Sequence, residues 1–163
     1  MRTLGDIMTT PAHGIEAHDS VQEAARRMRD LGVGLLPVIL SDRCIGVVTD
    51  RDLVIRAFCW GRFDIPVEEV MSLSPLCMTA ETPIEEGVRA LEERRIGRIV
   101  IVDREKRPIG VVSAGAIAIA CRGERMISEL ATELSEAHAV TNGVPHPADE
   151  IRRNRESVEG FGG

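Results

Sequence analysis

Thr49 and Asp52 are the residues whose types and spacing most directly suggest chemistry. They stand in the stretch Gly46-Val47-Val48-Thr49-Asp50-Arg51-Asp52, where an apolar run gives way to a charged one. Residues 44–48 read as a strand ending in Thr49, and a helix is expected to start at Asp50. The Ser/Thr-x-x-Asp/Glu spacing is that of a capping box. It places a hydroxyl and a carboxylate where the first helical turn offers unpaired backbone N–H groups and a partial positive charge. Such an end accepts anions, phosphate foremost. Most boxes of this type only cap a helix, and spacing alone favours that plain role. Repetition elsewhere in the chain changes the weighting.

Other chemistry is hard to assemble. The four histidines (His13, His18, His138, His146) do not cluster at metal-ligand spacing, and no metal site is expected. No Ser-His-Asp order in a plausible context, no pair of catalytic carboxylates and no Gly-rich phosphate loop is found, so no enzyme is expected. The cysteines Cys44, Cys59, Cys77 and Cys121 form no Cys-x-x-Cys. In apolar surroundings they read as reduced core residues. Cys59, beside Trp60, is the one to test for reactivity.

The chain has 163 residues, enough for one domain or two small halves sharing a core. It is 44% hydrophobic and 28% charged, ordinary for a globular protein. A net charge of −6 argues against nonspecific nucleic-acid binding, and 2% aromatics with no Tyr leave few surfaces for stacking bases. No apolar run has the length of a membrane span, and the N-terminal residues lack the apolar core of a signal peptide. A cytoplasmic location is the default expectation.

The elements that must position Thr49 and Asp52 occur twice. Ile7-Met8-Thr9 matches Val70-Met71-Ser72, Asp19-Ser20-Val21-Gln22-Glu23 matches Thr82-Pro83-Ile84-Glu85-Glu86, and Val33-Gly34 matches Ile96-Gly97, all at an offset of 63 residues. Gly46-Val47-Val48-Thr49 matches Gly110-Val111-Val112-Ser113 at an offset of 64, one residue being inserted in the intervening turn. Each copy begins with a short leading segment ending in a helical turn (Leu4–Met8 and Val67–Met71), followed by an extended piece (Gly14–Ala17 and Leu76–Thr79). An amphipathic helix follows. In the first copy Ser20-x-x-Glu23 reads as a capping box, Val21, Ala24, Ala25, Met28 and Leu31 form the apolar stripe, and Gly32 stops the helix. In the second copy Pro83 takes the first helical position. Its charged residues, such as Glu92 to Arg95, read as a solvated face. Two β-branched strands and a closing helix complete each copy, the closing helices ending at Gly61 and Gly123. The expected class is α+β, with two β-α-β-β-α repeats over residues 1–61 and 67–123 and a linker over 62–66. One such unit leaves an apolar sheet face open, and two can bury theirs against each other. A further amphipathic helix is expected over 124–138. Residues 139–163, with Asn142-Gly143, Pro145, Pro147 and a Gly-rich end, read as a mobile tail.

The two copies resemble a pair of cystathionine-β-synthase (CBS) domains, together a Bateman module. The resemblance rests on Asp6-Ile7-Met8-Thr9, Leu36-Pro37-Val38 and Gly46 to Asp52 in the first copy. In the second it rests on Glu69-Val70-Met71-Ser72, Arg98 to Asp103 and Ile109 to Ser113. It spans about residues 4–122, and the chain is similar to small stand-alone bacterial proteins built of little else.

What the resemblance implies is a regulatory module binding an adenine nucleotide or related adenosyl compound between its copies. The candidates are AMP, ADP, ATP, NAD and S-adenosylmethionine, and no cofactor is required. Carried over residue by residue, Thr49 would meet phosphate and Asp52 the ribose hydroxyls, with Arg98 reaching across from the second copy toward phosphate. A surface ion pair is the plain alternative for Arg98. Ile15, Leu36, Pro37 and Val38 are candidates for an adenine slot. Ser113 keeps the hydroxyl in the second copy, but Ala116 stands where the ribose carboxylate is expected, and a methyl group accepts no hydrogen bond. The first copy has Leu35 where the second has Arg98. The asymmetry implies at most one competent nucleotide site per chain, with the second cleft holding only Ser113 of the three residue types.

Two readings remain at this point. One is a nucleotide sensor that signals to a regulated partner by conformational change. The other is a structural or protein-interaction module with vestigial clefts, which Ala116 favours. Either is expected to be a homodimer, because Val54, Ile55 and Phe58 on one closing helix, and Ile117 and Ile119 on the other, exceed what one sheet core needs.

Overall fold

The computed structural model describes residues 2–121 together with Thr132 and Glu133, which are helical. The rest of the helix expected over 124–138, and the tail expected over 139–163, lie outside the described residues. The described chain is α+β, with two sheets. The first has strands β1 (Ile15–Glu16), β2 (Leu35–Leu40), β3 (Arg43–Thr49) and β4 (Ser72–Leu73) in that spatial order. The second has β5 (Cys77–Met78), β6 (Arg98–Val102) and β7 (Pro108–Ser113). Helix α1 (Val21–Leu31) follows β1, and α3 (Ile84–Arg94) follows β5. The closing helices are α2 (Asp50–Asp52), continued by a π-helical segment Leu53–Ala57 and a 3-10 turn Phe58–Trp60, and α4 (Ala114–Ala120).

Local chemistry explains most boundaries. Ser20 caps α1, its hydroxyl accepting the Glu23 N–H at 3.1 Å. The reciprocal half of that box does not form, because the Glu23 carboxylate pairs with Arg26 and Arg27 at 3.8 and 3.5 Å. Gly32 ends α1 at φ 65 and Gly61 ends the 50–60 helix at φ 66, left-handed positions that suit a residue without Cβ. Pro83 is the N-cap of α3 and not its first helical residue, with ψ 144 still extended. The hairpin between β2 and β3 turns on Ser41 and Asp42, both at positive φ (51 and 63), as a two-residue turn requires.

Each repeat builds its own core, and the leading segments are exchanged between them. Leu4, wholly buried, belongs to the core formed by α3, β6 and α4, with Leu91, Ile99 and Ile117. Val67 and Val70 belong to the core of the first repeat, with Val21, Leu36 and Val48. Backbone hydrogen bonds fix the exchange. The Leu4 and Gly5 N–H groups donate to the Thr82 and Ala80 carbonyls at 2.8 Å, and the Val67 and Glu68 N–H groups donate to Asp19 and Ala17 at 2.8 and 3.0 Å. The symmetry extends to single atoms. A Cβ on Gly46 would come within 2.7 Å of the Met71 sulfur, and one on Gly110 within 2.6 Å of the Met8 sulfur. Thus each leading methionine lies over the glycine of the opposite repeat. The 62–66 linker runs over the start of α1, where Ile65 and Phe63 carbonyls accept the Val21 and Gln22 N–H groups at 2.9 and 3.2 Å. These are two of the donors that a helix N-terminus leaves unpaired.

Two expectations from composition are corrected. Ile117 is wholly buried in the second core and does not contribute to an outer face, whereas Ile119 and Val54 are 65% and 51% exposed. Of the four cysteines only Cys121 is buried; Cys44 and Cys77 are half-buried and Cys59 is exposed.

Candidate functional site

Thr49 is the last residue of β3 and the N-cap of α2, so one backbone position serves both sheet and helix. Its N–H and hydroxyl donate to Asp52 Oδ2 at 2.9 and 2.8 Å, and its Oγ accepts the Asp52 N–H at 3.1 Å. The capping box is therefore complete. Asp52 Oδ1 faces the Arg56 guanidinium at 3.4 Å, one helical turn on. The same Arg56 Nη1 donates to the Val70 carbonyl at 2.8 Å and lies 3.3 Å from both the Met71 carbonyl and Ser72 Oγ. Arg56 thus joins the candidate carboxylate to the leading segment of the second repeat.

Thr49, Asp52 and Ser72 line a cavity of about 480 Å3 between the repeats. Its polar wall carries Thr49, Asp52, Ser72, Ser74, Arg94 and Arg98, and its apolar wall is made by Leu35, Val47, Pro75, Leu76, Ile96 and Val100. Arg94 Nη1 donates to the Ser74 carbonyl at 3.4 Å. Arg98 opens β6 opposite Ser113 and is exposed. It makes no ion pair among the described residues. Its guanidinium lies near Gly34 and Asp50: a Cβ on Gly34 would lie 3.0 Å from Asp50 Oδ2 and 3.6 Å from Arg98 Nη2. The cavity offers two guanidinium groups, a hydroxyl at a helix N-terminus and a carboxylate beside an apolar slot. This set matches an anion attached to a polyhydroxylated, partly apolar body.

A second cavity, about 250 Å3, is related to the first by the internal repeat. Thr9 takes the place of Ser72, Val111 of Val47, and Ser113 of Thr49. The Ser113 hydroxyl accepts the Ala116 N–H at 3.1 Å, which keeps the cap but supplies no carboxylate. Arg98 lines this cavity as well, together with His13. The expectation that the second cleft holds only Ser113 of the three types is thereby corrected, since Arg98 stands between both clefts.

Of the residues singled out from sequence, Thr49, Asp52 and Arg98 come together in the larger cavity and Ser113 falls in the smaller one. Ile15 and Val38 are wholly buried in the first core, and Pro37 is buried on β2 opposite Val47; none of the three lines either cavity. The apolar wall comes instead from Leu35 and Val47 of the first repeat and from Pro75, Leu76, Ile96 and Val100 of the second. The offset of 63 that relates the copies, applied as a two-fold axis, was the signal that could have found them. Arg56 was signalled only by its spacing of one turn from Asp52. Among the described residues no group of three or more His, Cys, Asp and Glu is placed to hold a metal ion. No described helix is long and apolar enough to cross a membrane.

Two copies of one α+β unit, exchanged at their leading segments and enclosing paired clefts, define a tandem-repeat cleft module. The chain belongs to the CBS domain family, whose profile matches residues 4–57 and 67–123. It is 32% identical over 120 residues to the CBS domain-containing protein YhcV of Bacillus subtilis, covering 73% of this chain and 85% of that one. Among solved structures it is similar to CBSX2 in complex with AMP, with 28% identity, a TM-score of 0.65, and 77% and 99% of the two chains covered. The CBS domain pair of protein MJ0100, solved with 5-methylthioadenosine and S-adenosyl-L-methionine, shares the fold at 20% identity and a TM-score of 0.66, with 72% and 98% covered.

Proposed function

We propose that this chain is a regulatory module that binds an adenine nucleotide or other adenosyl compound in the larger cavity, and that occupancy changes how a partner protein reads its two repeats. The observation that carries this reading is the unequal furnishing of two symmetry-related clefts. Both keep a helix-capping hydroxyl, but only one adds the carboxylate of Asp52 and a second guanidinium from Arg94. A residual box without a ligand has no need of the arginines. The 28% identity to a chain solved with AMP supports the ligand class.

In this reading Thr49 and the α2 N-terminus meet phosphate, Arg98 and Arg94 neutralise it, and Asp52 accepts from the ribose hydroxyls. Pro75, Leu76 and Ile96 flank the base. Ser113 serves the smaller cleft, which lacks the sugar-binding carboxylate. Binding requires the Thr49 hydroxyl to turn from Asp52 Oδ2 toward the phosphate. That frees the carboxylate oxygen for the sugar, so the two contacts support each other. Because Arg56 ties Asp52 to residues 70–72, the change is felt in the leading segment of the second repeat, which adds β4 to the first sheet beside β3. Signalling then follows from differential affinity for two placements of the repeats. The reading assigns no catalysis to the chain, places it in the cytoplasm, and makes it a homodimer through the exposed faces carrying Val54 and Ile119.

A thermal-shift screen with AMP, ADP, ATP, NAD and S-adenosylmethionine tests it. A ligand at a hundred times its dissociation constant stabilises the native state by ~2.7 kcal/mol. A ligand-dependent shift is expected in the parent chain and not in Asp52→Ala, each compared with its own unliganded midpoint. No shift with any of the five would favour the second reading, an interaction module in which Thr49 and Asp52 act only as a cap.

A further inference from the structure

Arg98 has a carboxylate beside it that the site described above does not use. Asp50 is the first residue of α2, next to Thr49, and lines neither cavity. Its backbone N–H donates to the Gly34 carbonyl at 3.2 Å, and its Oδ1 accepts the Arg51 N–H at 2.8 Å. Backbone and side chain are both held, and the other carboxylate oxygen, Oδ2, lies against Gly34. The Arg98 guanidinium reaches the same glycine from β6. A Cβ on Gly34 would lie 3.0 Å from Asp50 Oδ2 and 3.6 Å from Arg98 Nη2. Opposite charges thus come together over a residue without a side chain, and they attract through space without a direct ion pair.

The internal repeat shows that the two charges go together. Gly97 is the counterpart of Gly34, and its carbonyl accepts the Ala114 N–H at 2.9 Å, as the Gly34 carbonyl accepts that of Asp50. Ala114 is therefore the counterpart of Asp50, and Leu35 that of Arg98. One half of the module carries both charges at this place and the other half carries neither. Ala114 is buried in the second core, whereas Asp50 and Arg98 are exposed. An acidic residue in a first helical turn also favours the helix. That plain role asks nothing of Arg98 and gives no reason for both charges to break the symmetry at one glycine.

We propose that Asp50 is the counter-charge of Arg98 and sets how tightly the larger cavity holds a phosphate. Arg98 lines both cavities, and Gly34 belongs to the smaller one. Asp50 draws the guanidinium toward Gly34, between the clefts. A phosphate at Thr49 has to win the guanidinium from Asp50, so binding exchanges one anion for another. Because Asp50 adjoins Thr49, its own charge also opposes the incoming phosphate. Both effects act on a ligand that carries a phosphate and leave an uncharged adenosyl compound untouched. Asp50 is then a specificity residue that raises the nucleotide concentration at which the module fills. This rests on the function proposed above, with Arg98 meeting the phosphate.

The test titrates the full chain with AMP and with ATP by calorimetry, in the parent and in Asp50→Asn, each checked for an unchanged circular dichroism spectrum. Asp50→Asn should bind the nucleotide about twofold to fivefold more tightly, the scale of a partly exposed ion pair. The gain should shrink as salt is raised. In an Arg98→Gln background the same substitution should give a smaller gain or none, since the cycle reads the coupling between the two side chains. Binding of 5-methylthioadenosine, which has no phosphate, should be the same in Asp50→Asn as in the parent; a change that altered only the helix would move both kinds of ligand alike. Suppose the parent binds nucleotide and Asp52→Ala does not. Then an Asp50→Asn affinity that is unchanged or weaker, or a gain equally large without Arg98, would overturn this inference and leave the proposed function standing. No binding of AMP or ATP by either the parent or Asp50→Asn would overturn both.

Discussion

Thr49 has two tasks that compete for one hydroxyl. In the structure it donates to Asp52 at 2.8 Å while accepting the Asp52 N–H at 3.1 Å, so the helix start is held by a reciprocal pair. Removing it should cost stability before any ligand is considered. Thr49→Ala is expected to lower the free energy of unfolding by about 1 kcal/mol, the usual worth of an N-cap hydroxyl, measured by urea denaturation. An unchanged midpoint would mean that the box contributes nothing to the fold. At this scale the sequence is legible where the chemistry is local. Thr49 and Asp52 are three positions apart, and their types name their geometry. The walls of the cavity are not local. Pro75, Leu76 and Ile96 reach Thr49 only through the symmetry of the folded pair, and apolar residues such as Ile15 and Val38 look alike whether they line a slot or fill a core. In this structure they fill the core.

At the scale of elements, periodicity located both long helices and the central hairpins, because stripes and alternation extend over enough residues to be read. A helical turn was expected in each leading segment, but where those segments pack was not legible. Leu4–Asp6 and Val67–Glu69 are single 3-10 turns, too short to show a period, and their destination depends on the opposite repeat. The π-helical stretch Leu53–Ala57 was equally hidden, since its hydrogen bonds only span one residue more than those of an α-helix. The exchange has a consequence for the N-terminus. Leu4 is wholly buried among residues of the second repeat. Leu4→Ala should destabilise the chain by roughly 2–5 kcal/mol, as expected for a truncated core leucine, despite its place near the chain end. Unfolding monitored by circular dichroism should remain one transition, since each core contains part of the other repeat. A loss below ~0.5 kcal/mol, the range of ordinary surface substitutions, would show that the leading segment is frayed and that the exchange contributes little.

On the scale of the whole molecule, the fold leaves apolar residues uncovered at the closing helices. Val54 and Ile119 are exposed, as are Trp60 and Phe63 near the linker. Apolar surface of this kind commonly marks an interface. Light scattering at micromolar concentration should return a dimer, and the double substitution Val54→Asp with Ile119→Asp should return a monomer that keeps its circular dichroism spectrum. A parent chain that is monomeric would remove the proposed assembly without touching the ligand site. The site itself depends on asymmetry between clefts that the repeat makes equivalent. Isothermal titration calorimetry with the nucleotide that gives the largest thermal shift measures this directly. One site per chain is predicted, abolished or strongly weakened in Asp52→Ala and retained in Ser113→Ala. Two equal sites per chain, or binding indifferent to Asp52, would contradict the account.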